Sequence, residues 1–129
     1  MAGDRFLAGV GEGDRPRALM SSRTRRVLAS AVEVAGTSDT RRRGLLGRDS
    51  LDPSAALIIA PCSAIHTFFM RFVIDAVFVD RTGRVLKVVH RLKPWRIAAS
   101  MGAYAVIELN GGSVQRSDGV AQGDRLYLE

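Results

Sequence analysis

The apolar runs of this chain are short, and each ends at a turn-forming residue; this feature constrains the fold most. Residues 56–60 are fully apolar and stop at Pro61, residues 74–80 lead into a turn, and residues 104–109 end at Asn110. Runs of this length with such boundaries predict buried strands rather than helices. The chain also lacks the alternation of strands with long helices that builds parallel sheets.

Six strands and two short helices are predicted. The strands cover residues 27–35, 56–60, 74–80, 85–90, 104–109 and 125–128. The first helix begins near Thr37, Ser38 or Asp39 and runs through the arginines at 41–43, and the second begins at Ser113. This pattern predicts an α+β fold: a small, twisted, partly closed and mostly antiparallel β-sheet, barrel-like in form, with two short helices.

The chain of 129 residues is long enough for one domain with a tail. Residues 1–25 carry glycine, aspartate, arginine and Pro16 without a sustained period. This composition predicts a flexible basic arm. Residues 26–129 are predicted to form a single compact β-rich domain.

Positive charge is concentrated near the start of the chain. Residues 1–48 hold ten arginines and five acidic residues, a net of +5 out of +6 for the whole chain. Such an arm suggests weak nucleic-acid contact, although a solvated tail has the same composition. Phe6 is the only aromatic residue before residue 68, whereas single-strand binders interleave aromatic and basic residues. The lack of interleaved aromatic residues in the arm therefore argues against nucleic acid as the partner.

The expected compartment is the cytoplasm. No apolar run approaches the ~20 residues needed to cross a bilayer, and the first residues are too acidic for a secretory leader. The single cysteine forms no internal disulfide, which fits a reducing compartment. We therefore predict no membrane association.

Residues 61–80 contain the only cysteine, one of two histidines, four of five phenylalanines and an aspartate within an apolar run. Aromatic walls with a few polar groups are typical of a ligand pocket, and an aromatic core with a satisfied histidine would look the same. The predicted pocket consists of Cys62, His66, Thr67, Phe68, Met70, Arg71, Asp75 and Trp95.

Two carboxylates stand out. Asp75 lies between Ile74 and Ala76, so its carboxylate is expected to be buried and to need a hydrogen-bond or ion-pair partner. Such a carboxylate serves either as part of a buried structural pair or as a functional acid or base. Glu108 is expected on a partly exposed face of the strand at residues 104–109.

The spacing of Cys62 and His66 also permits a hydrolase- or transferase-like enzyme, with Asp75 orienting the imidazole. No glycine-rich elbow accompanies this set, so the question of enzymatic activity stays open. The spacing of Cys62, His66, Asp75 and His90 matches no zinc pattern. We predict no metal and no cofactor.

The chain resembles a known family over about 100 residues. The matching motifs are Arg43-Gly44-Leu45-Leu46-Gly47-Arg48, Pro61-Cys62, Ile65-His66-Thr67-Phe68-Phe69-Met70-Arg71-Phe72, Ile74-Asp75, Phe78-Val79-Asp80, Gly83-Arg84-Val85, Pro94-Trp95, Val106-Ile107-Glu108-Leu109 and Gly123-Asp124-Arg125-Leu126. These are similar to the domain of unknown function 192 family of small bacterial and archaeal proteins. The resemblance implies a compact β-rich α+β domain and no particular activity.

The leading hypothesis is a non-enzymatic accessory domain that binds a small ligand or a protein partner. Its site is expected near His66 and Asp75, facing the loop around Trp95, because the chemistry-bearing residues concentrate there without a complete catalytic set. The sequence does not identify the ligand.

Overall fold

The computed structural model of the chain describes residues 6–7, 18–117 and 119–129. Within these ranges the strands are β1 (Leu19–Ser21), β2 (Val27–Ala29), β3 (Ala31–Ala35), β4 (Ala55–Ile59), β5 (Ala64–His66), β6 (Ile74–Val79), β7 (Val85–Leu92), β8 (Ile97–Ala99), β9 (Ala105–Asn110) and β10 (Leu126–Leu128). The helices are α1 (Ser38–Arg43) and α2 (Ser113–Arg116). Neither of these two helices has the length and apolarity that a membrane span requires.

A five-stranded sheet with the order β3-β4-β9-β6-β7 forms the centre of the molecule. Among the described strand pairs, only β3 and β4 run parallel, and the others are antiparallel. Two smaller sheets, β10-β1-β2 and β5-β8, complete the set. The predicted β-rich architecture with two short helices is confirmed. These described sheets close into no barrel, so the barrel-like form is not confirmed.

One face of the central sheet packs against the β10-β1-β2 sheet. Val77 of β6 and Ile107 of β9 meet Leu19, Leu28 and Leu126 there in one apolar cluster. All five side chains are at most 4 % exposed. This cluster brings the two ends of the described chain into the core.

The opposite face packs against β5-β8 and the segment that follows α1. Phe78 and Val106, both fully buried, share a second cluster with Leu45, Ile65 and Met70. Successive residues of β6 and β9 thus enter two different cores. This arrangement explains why their sequences are apolar at nearly every position, as in strands covered on both faces.

Local sequence signals set the ends of α1 and the β6-β7 hairpin. Thr37 caps α1 by accepting the Thr40 N–H at 3.1 Å, and Gly44 ends the helix with a φ of +48°. Asp80 accepts the Thr82 and Arg84 N–H groups, at 2.8 and 3.1 Å, in the predicted turn.

Several elements differ from the predictions. The predicted first strand is divided at Ser30, because Ser30 and Ala31 both donate their N–H to the Ser54 carbonyl. The short strands β5 and β8 were not predicted, and β7 extends to Leu92.

Only part of the predicted N-terminal arm is described. Leu19–Ser21 of this segment forms β1, and Phe6 is 5 % exposed in the first core. Residues 1–5 and 8–17 of the predicted arm lie outside the described residues.

Candidate functional site

A cavity of about 210 Å³ lies between α1 with its following turn, β5 and β9. Its walls combine three arginines, a carboxyl, a thiol, an imidazole and apolar side chains. The lining residues are Arg41, Arg42, Arg43, Gly44, Leu45, Leu46, Ile59, Cys62, Ala64, Ile65, His66, Met70 and Glu108. The cavity is thus partly cationic and partly apolar.

Glu108 is the buried acid of this cavity. It occupies the middle strand of the central sheet, opposite Leu57 and Ala76, and is only 3 % exposed. A Cβ placed on Gly44 would lie 3.7 Å from Oε1, so the carboxyl points toward the turn after α1. No described residue donates a hydrogen bond to it. The expectation of a partly exposed position is therefore wrong.

Burial raises the pKa of Glu108 to about 7, against a smaller opposing effect of the Arg48 charge. Desolvation disfavours the ionised carboxylate, and no hydrogen bond from a described residue compensates. Near neutral pH a large share of the molecules therefore carries Glu108 as a neutral acid, which can donate its O–H to a bound group.

Cys62 and His66 also line the cavity, but they do not form a nucleophile–base pair. The Cys62 thiol donates to the Ala64 carbonyl at 3.1 Å, and burial raises the pKa of this thiol. His66 Nδ1 accepts the Phe68 N–H at 3.3 Å. The thiol is thus kept in its protonated, less nucleophilic form.

The three arginines of the cavity form the last turn of α1, directly before Gly44. Arg41 is half-buried and donates to the Gly36 carbonyl at 3.3 Å, whereas Arg42 and Arg43 are exposed. A guanidinium has five N–H donors in a planar fork, which suits carboxylate and phosphate oxygens.

Asp75 does not line the cavity. It is fully buried, and its carboxylate accepts backbone N–H groups from Arg91 at 2.9 Å, Gly112 at 3.1 Å and Val114 at 3.0 Å. The partner that this buried carboxylate was expected to need is therefore a set of backbone N–H groups. The structure does not bring Asp75 and His66 to a common cavity.

Thr67 and Arg71 also point elsewhere. Thr67 is fully buried, and its hydroxyl donates to the Lys93 carbonyl at 2.6 Å and accepts the Arg96 N–H at 2.9 Å. Arg71 is exposed and pairs with Asp49. Thr67 therefore joins the two loops, at residues 67–73 and 93–96, that carry the aromatic residues.

Phe68 and Trp95 lie beside the cavity, in a row of rings on the surface. His66 stacks on Phe68 with 4.9 Å between ring centroids, and Phe68 stacks on Trp95 at 5.7 Å. Phe69 adds a tilted contact to Trp95 at 4.6 Å. Of the predicted pocket, then, Cys62, His66 and Met70 line the cavity, and Phe68 and Trp95 form the adjoining surface.

The sequence carries a signal for the burial of Glu108. An acidic residue within the apolar run 105–109 resembles Asp75 within 74–79, and both are buried. Among the residues that the structure describes, no group of three or more histidine, cysteine, aspartate or glutamate side chains could hold a metal.

Comparison with known proteins supports the fold. A family model described as DUF192, Uncharacterized ACR, matches residues 19–128, which confirms the resemblance drawn from the motifs. No curated protein matches the chain significantly.

Two solved structures are similar. One is a candidate transcription regulator from Sinorhizobium meliloti 1021, with a TM-score of 0.78 and 24% identity over 93% of this chain and 98% of that one. The other is a protein of unknown function from Novosphingobium aromaticivorans DSM 12444, with a TM-score of 0.73 and 24% identity over 86% of this chain and 82% of that one. At this identity the likeness shows the fold alone.

Proposed function

We propose, for a chain that belongs to the uncharacterised DUF192 family, that the domain binds a small organic anion in the cavity beside α1 without transforming it. The observation that carries the proposal is Glu108, a buried carboxyl that faces the cavity and receives no hydrogen bond from a described residue. A carboxyl that lines a cavity and is not engaged by described protein groups is free to pair with a ligand oxygen.

The charge of the ligand follows from the cavity walls. Arg41, Arg42 and Arg43 line one side, and guanidinium groups bind carboxylates and phosphates through paired hydrogen bonds. Protonated Glu108 would donate to the same anionic group or to a nearby carbonyl of the ligand. Ionised Glu108 would repel the anion, so binding requires the protonated acid.

The size and walls of the cavity limit the rest of the ligand. At about 210 Å³ the cavity is smaller than the roughly 300–1,000 Å³ typical of drug-sized ligands. Leu45, Ile59 and Met70 offer apolar contact to a short carbon chain. We therefore expect a small carboxylate or phosphate ester.

Binding is favoured over catalysis because the nucleophile is not activated. The raised pKa of Cys62 keeps its thiol protonated, and the hydrogen bond from Phe68 N–H engages His66 Nδ1. A nucleophilic cysteine needs a lowered pKa or an adjacent base.

The test is isothermal titration with short monocarboxylates, dicarboxylates and inorganic phosphate at two pH values. For a probe that binds, we expect affinity about tenfold lower at about pH 8 than at about pH 6, because one proton on Glu108 is coupled to binding. Glu108→Gln keeps a donor but does not titrate, so its affinity for the carboxylate probes, which are ionised at both pH values, should not change with pH. Arg41→Gln should weaken binding.

Arg125→Gln is the matched control, since Arg125 is exposed and does not line the cavity. The proposal fails if no probe binds, if Arg41→Gln and Arg125→Gln have the same effect, or if Glu108→Gln retains the pH dependence.

A further inference from the structure

The aromatic row of His66, Phe68, Phe69 and Trp95 presents unusually exposed rings. Phe69 is 71 % exposed and Trp95 is 54 % exposed. The planes of His66 and Phe68 differ by 27°, and those of Phe68 and Trp95 by 29°. Phe69 and Trp95, whose planes meet at 59°, thus expose aromatic surface to solvent.

Two of these rings belong to residues whose backbone has an unfavourable conformation. Phe69 and Trp95 both have a φ of +66°. For bulky residues this left-handed conformation costs about 1–3 kcal/mol and persists only where the surroundings enforce it. Thr67 provides that enforcement, because its carbonyl accepts the N–H groups of Met70 at 3.2 Å and Trp95 at 3.0 Å.

The two loops that carry the row contain basic residues. Arg71 of the loop 67–73 pairs with the exposed Asp49. Lys93 and Arg96 flank Trp95 in sequence, and both are exposed. No acidic residue occurs in the loops 67–73 and 93–96.

We propose that the aromatic row binds single-stranded nucleic acid. Bases would stack on Phe69 and Trp95, while Lys93 and Arg96 contact the adjacent phosphates. Stacking platforms surrounded by positive charge are the common feature of proteins that bind single strands without sequence preference. The sequence of the N-terminal arm lacks this combination, whereas these two loops contain it. The proposal does not rest on the proposed function, because Phe69, Trp95, Lys93 and Arg96 do not line the cavity.

The exposed rings of Phe69 and Trp95, beside the exposed Lys93 and Arg96, favour a nucleic acid over an acidic protein partner. A protein would use the rings as buried anchors and would not need exposed π-faces. The two partners give different results in the same experiment, because oligothymidylate carries bases that can stack on tryptophan and polyglutamate carries no rings.

The experiment uses Trp95, the only tryptophan of the chain, as the reporter. The full-length protein is titrated with an oligothymidylate, with inorganic polyphosphate and with polyglutamate, and tryptophan fluorescence is recorded. We expect strong quenching by the oligothymidylate alone. The slope of log affinity against log salt should be about −0.7 for each phosphate contacted.

Variants then locate the contact. Phe69→Ala should weaken oligothymidylate binding about 5- to 150-fold, as expected for the loss of one stacked base, and Phe69→Tyr should retain it. Lys93→Gln and Arg96→Gln should make the salt slope shallower. Met101→Ala is the control, because Met101 is 99 % exposed but lies outside the row. Circular dichroism and thermal unfolding check that each variant is folded.

Three outcomes would overturn the proposal: no quenching by the oligothymidylate, equal binding of Phe69→Ala and Met101→Ala, or equal affinity for polyglutamate. The last outcome would indicate an acidic protein partner. A folded Phe69→Ala that binds poorly, together with a Phe69→Tyr that binds normally, would support stacking.

Discussion

Asp75 is held by backbone N–H groups from two elements that are distant in sequence. Its Oδ1 accepts from Arg91, at the point where the β6-β7 register shifts, and from Gly112. Its Oδ2 accepts from Val114 in α2. Charge-assisted hydrogen bonds of this kind are about twice as strong as neutral ones. The carboxylate therefore fixes the strand irregularity to the start of α2.

Asp75→Asn should destabilise the protein by about 1–3 kcal/mol, because an amide has one acceptor oxygen and its NH₂ would face a backbone donor. Urea unfolding followed by circular dichroism measures the change. Asp49→Asn is the control, since the Asp49 side chain is 83 % exposed and its loss should cost about 0.5 kcal/mol or less. Equal effects of the two substitutions would contradict the structural role of Asp75.

Glu108 makes stability depend on pH. Burial raises its pKa from 4.5 to about 7, so the folded state binds the proton more tightly than the unfolded state. Below about pH 4.5 Glu108 is protonated in both the folded and the unfolded state, and the folded state has its full stability. As the pH rises from there through about 7, the free energy of unfolding falls, because the unfolded state releases the proton first. At about 1.4 kcal/mol for each pKa unit, the loss amounts to about 3 kcal/mol.

Glu108→Gln should therefore be more stable than the wild type by up to about 3 kcal/mol at about pH 8, and equal to it within about 1 kcal/mol at about pH 4. Denaturant unfolding across this pH range measures the difference. A constant difference between the two proteins at all pH values would show that Glu108 does not titrate as described.

Among the elements, the loops 67–73 and 93–96 depend on one hydroxyl. Thr67→Val keeps the shape but leaves the Lys93 carbonyl and the Arg96 N–H without their shared partner, at a cost of about 1–3 kcal/mol. Unfolding experiments should show this loss, and tryptophan anisotropy should show faster motion of Trp95. Thr67→Ser keeps the hydroxyl and should lose about 1 kcal/mol or less. Equal anisotropy in both variants would contradict the role of the hydroxyl.

Elements with local signals were predictable. The Thr37 cap, Gly44 and the Asp80 turn depend on neighbouring residues, so the sequence located α1 and the β6-β7 hairpin closely. Strands β5 and β8 span three residues each, and each buries one side chain, Ile65 and Ala98. Alternation over three residues cannot be distinguished from a loop. Their pairing joins segments about 30 residues apart, which no local pattern encodes.

For the whole molecule, the first core depends on the last strand. Leu126 is 1 % exposed and pairs with Ser21 across β1-β10. Leu126→Ala should destabilise the protein by about 2–5 kcal/mol through the cavity it leaves. The neighbouring Tyr127 is 38 % exposed, so Tyr127→Ala should cost about 1 kcal/mol or less. Thermal unfolding compares the two, and a larger effect of Tyr127→Ala would contradict the packing described.

The cavity could be predicted only in part, because its walls come from α1, β4, β5 and β9. Cys62, His66 and Met70 stood out as a local cluster, and all three line it. Arg41 and Glu108 join them only through the order of the strands, which the apolar runs did not specify. The burial of Glu108 likewise depends on its position in the middle strand, between β4 and β6.

The positive φ angles of Phe69 and Trp95 have a consequence for how this surface changes over evolutionary time. Glycine adopts such angles freely, so replacing either ring by glycine would relieve about 1–3 kcal/mol of backbone strain. Descendants in which selection no longer maintains the surface should therefore carry glycine or asparagine at these positions. Lineages that keep both rings retain them at the expense of a more stable fold.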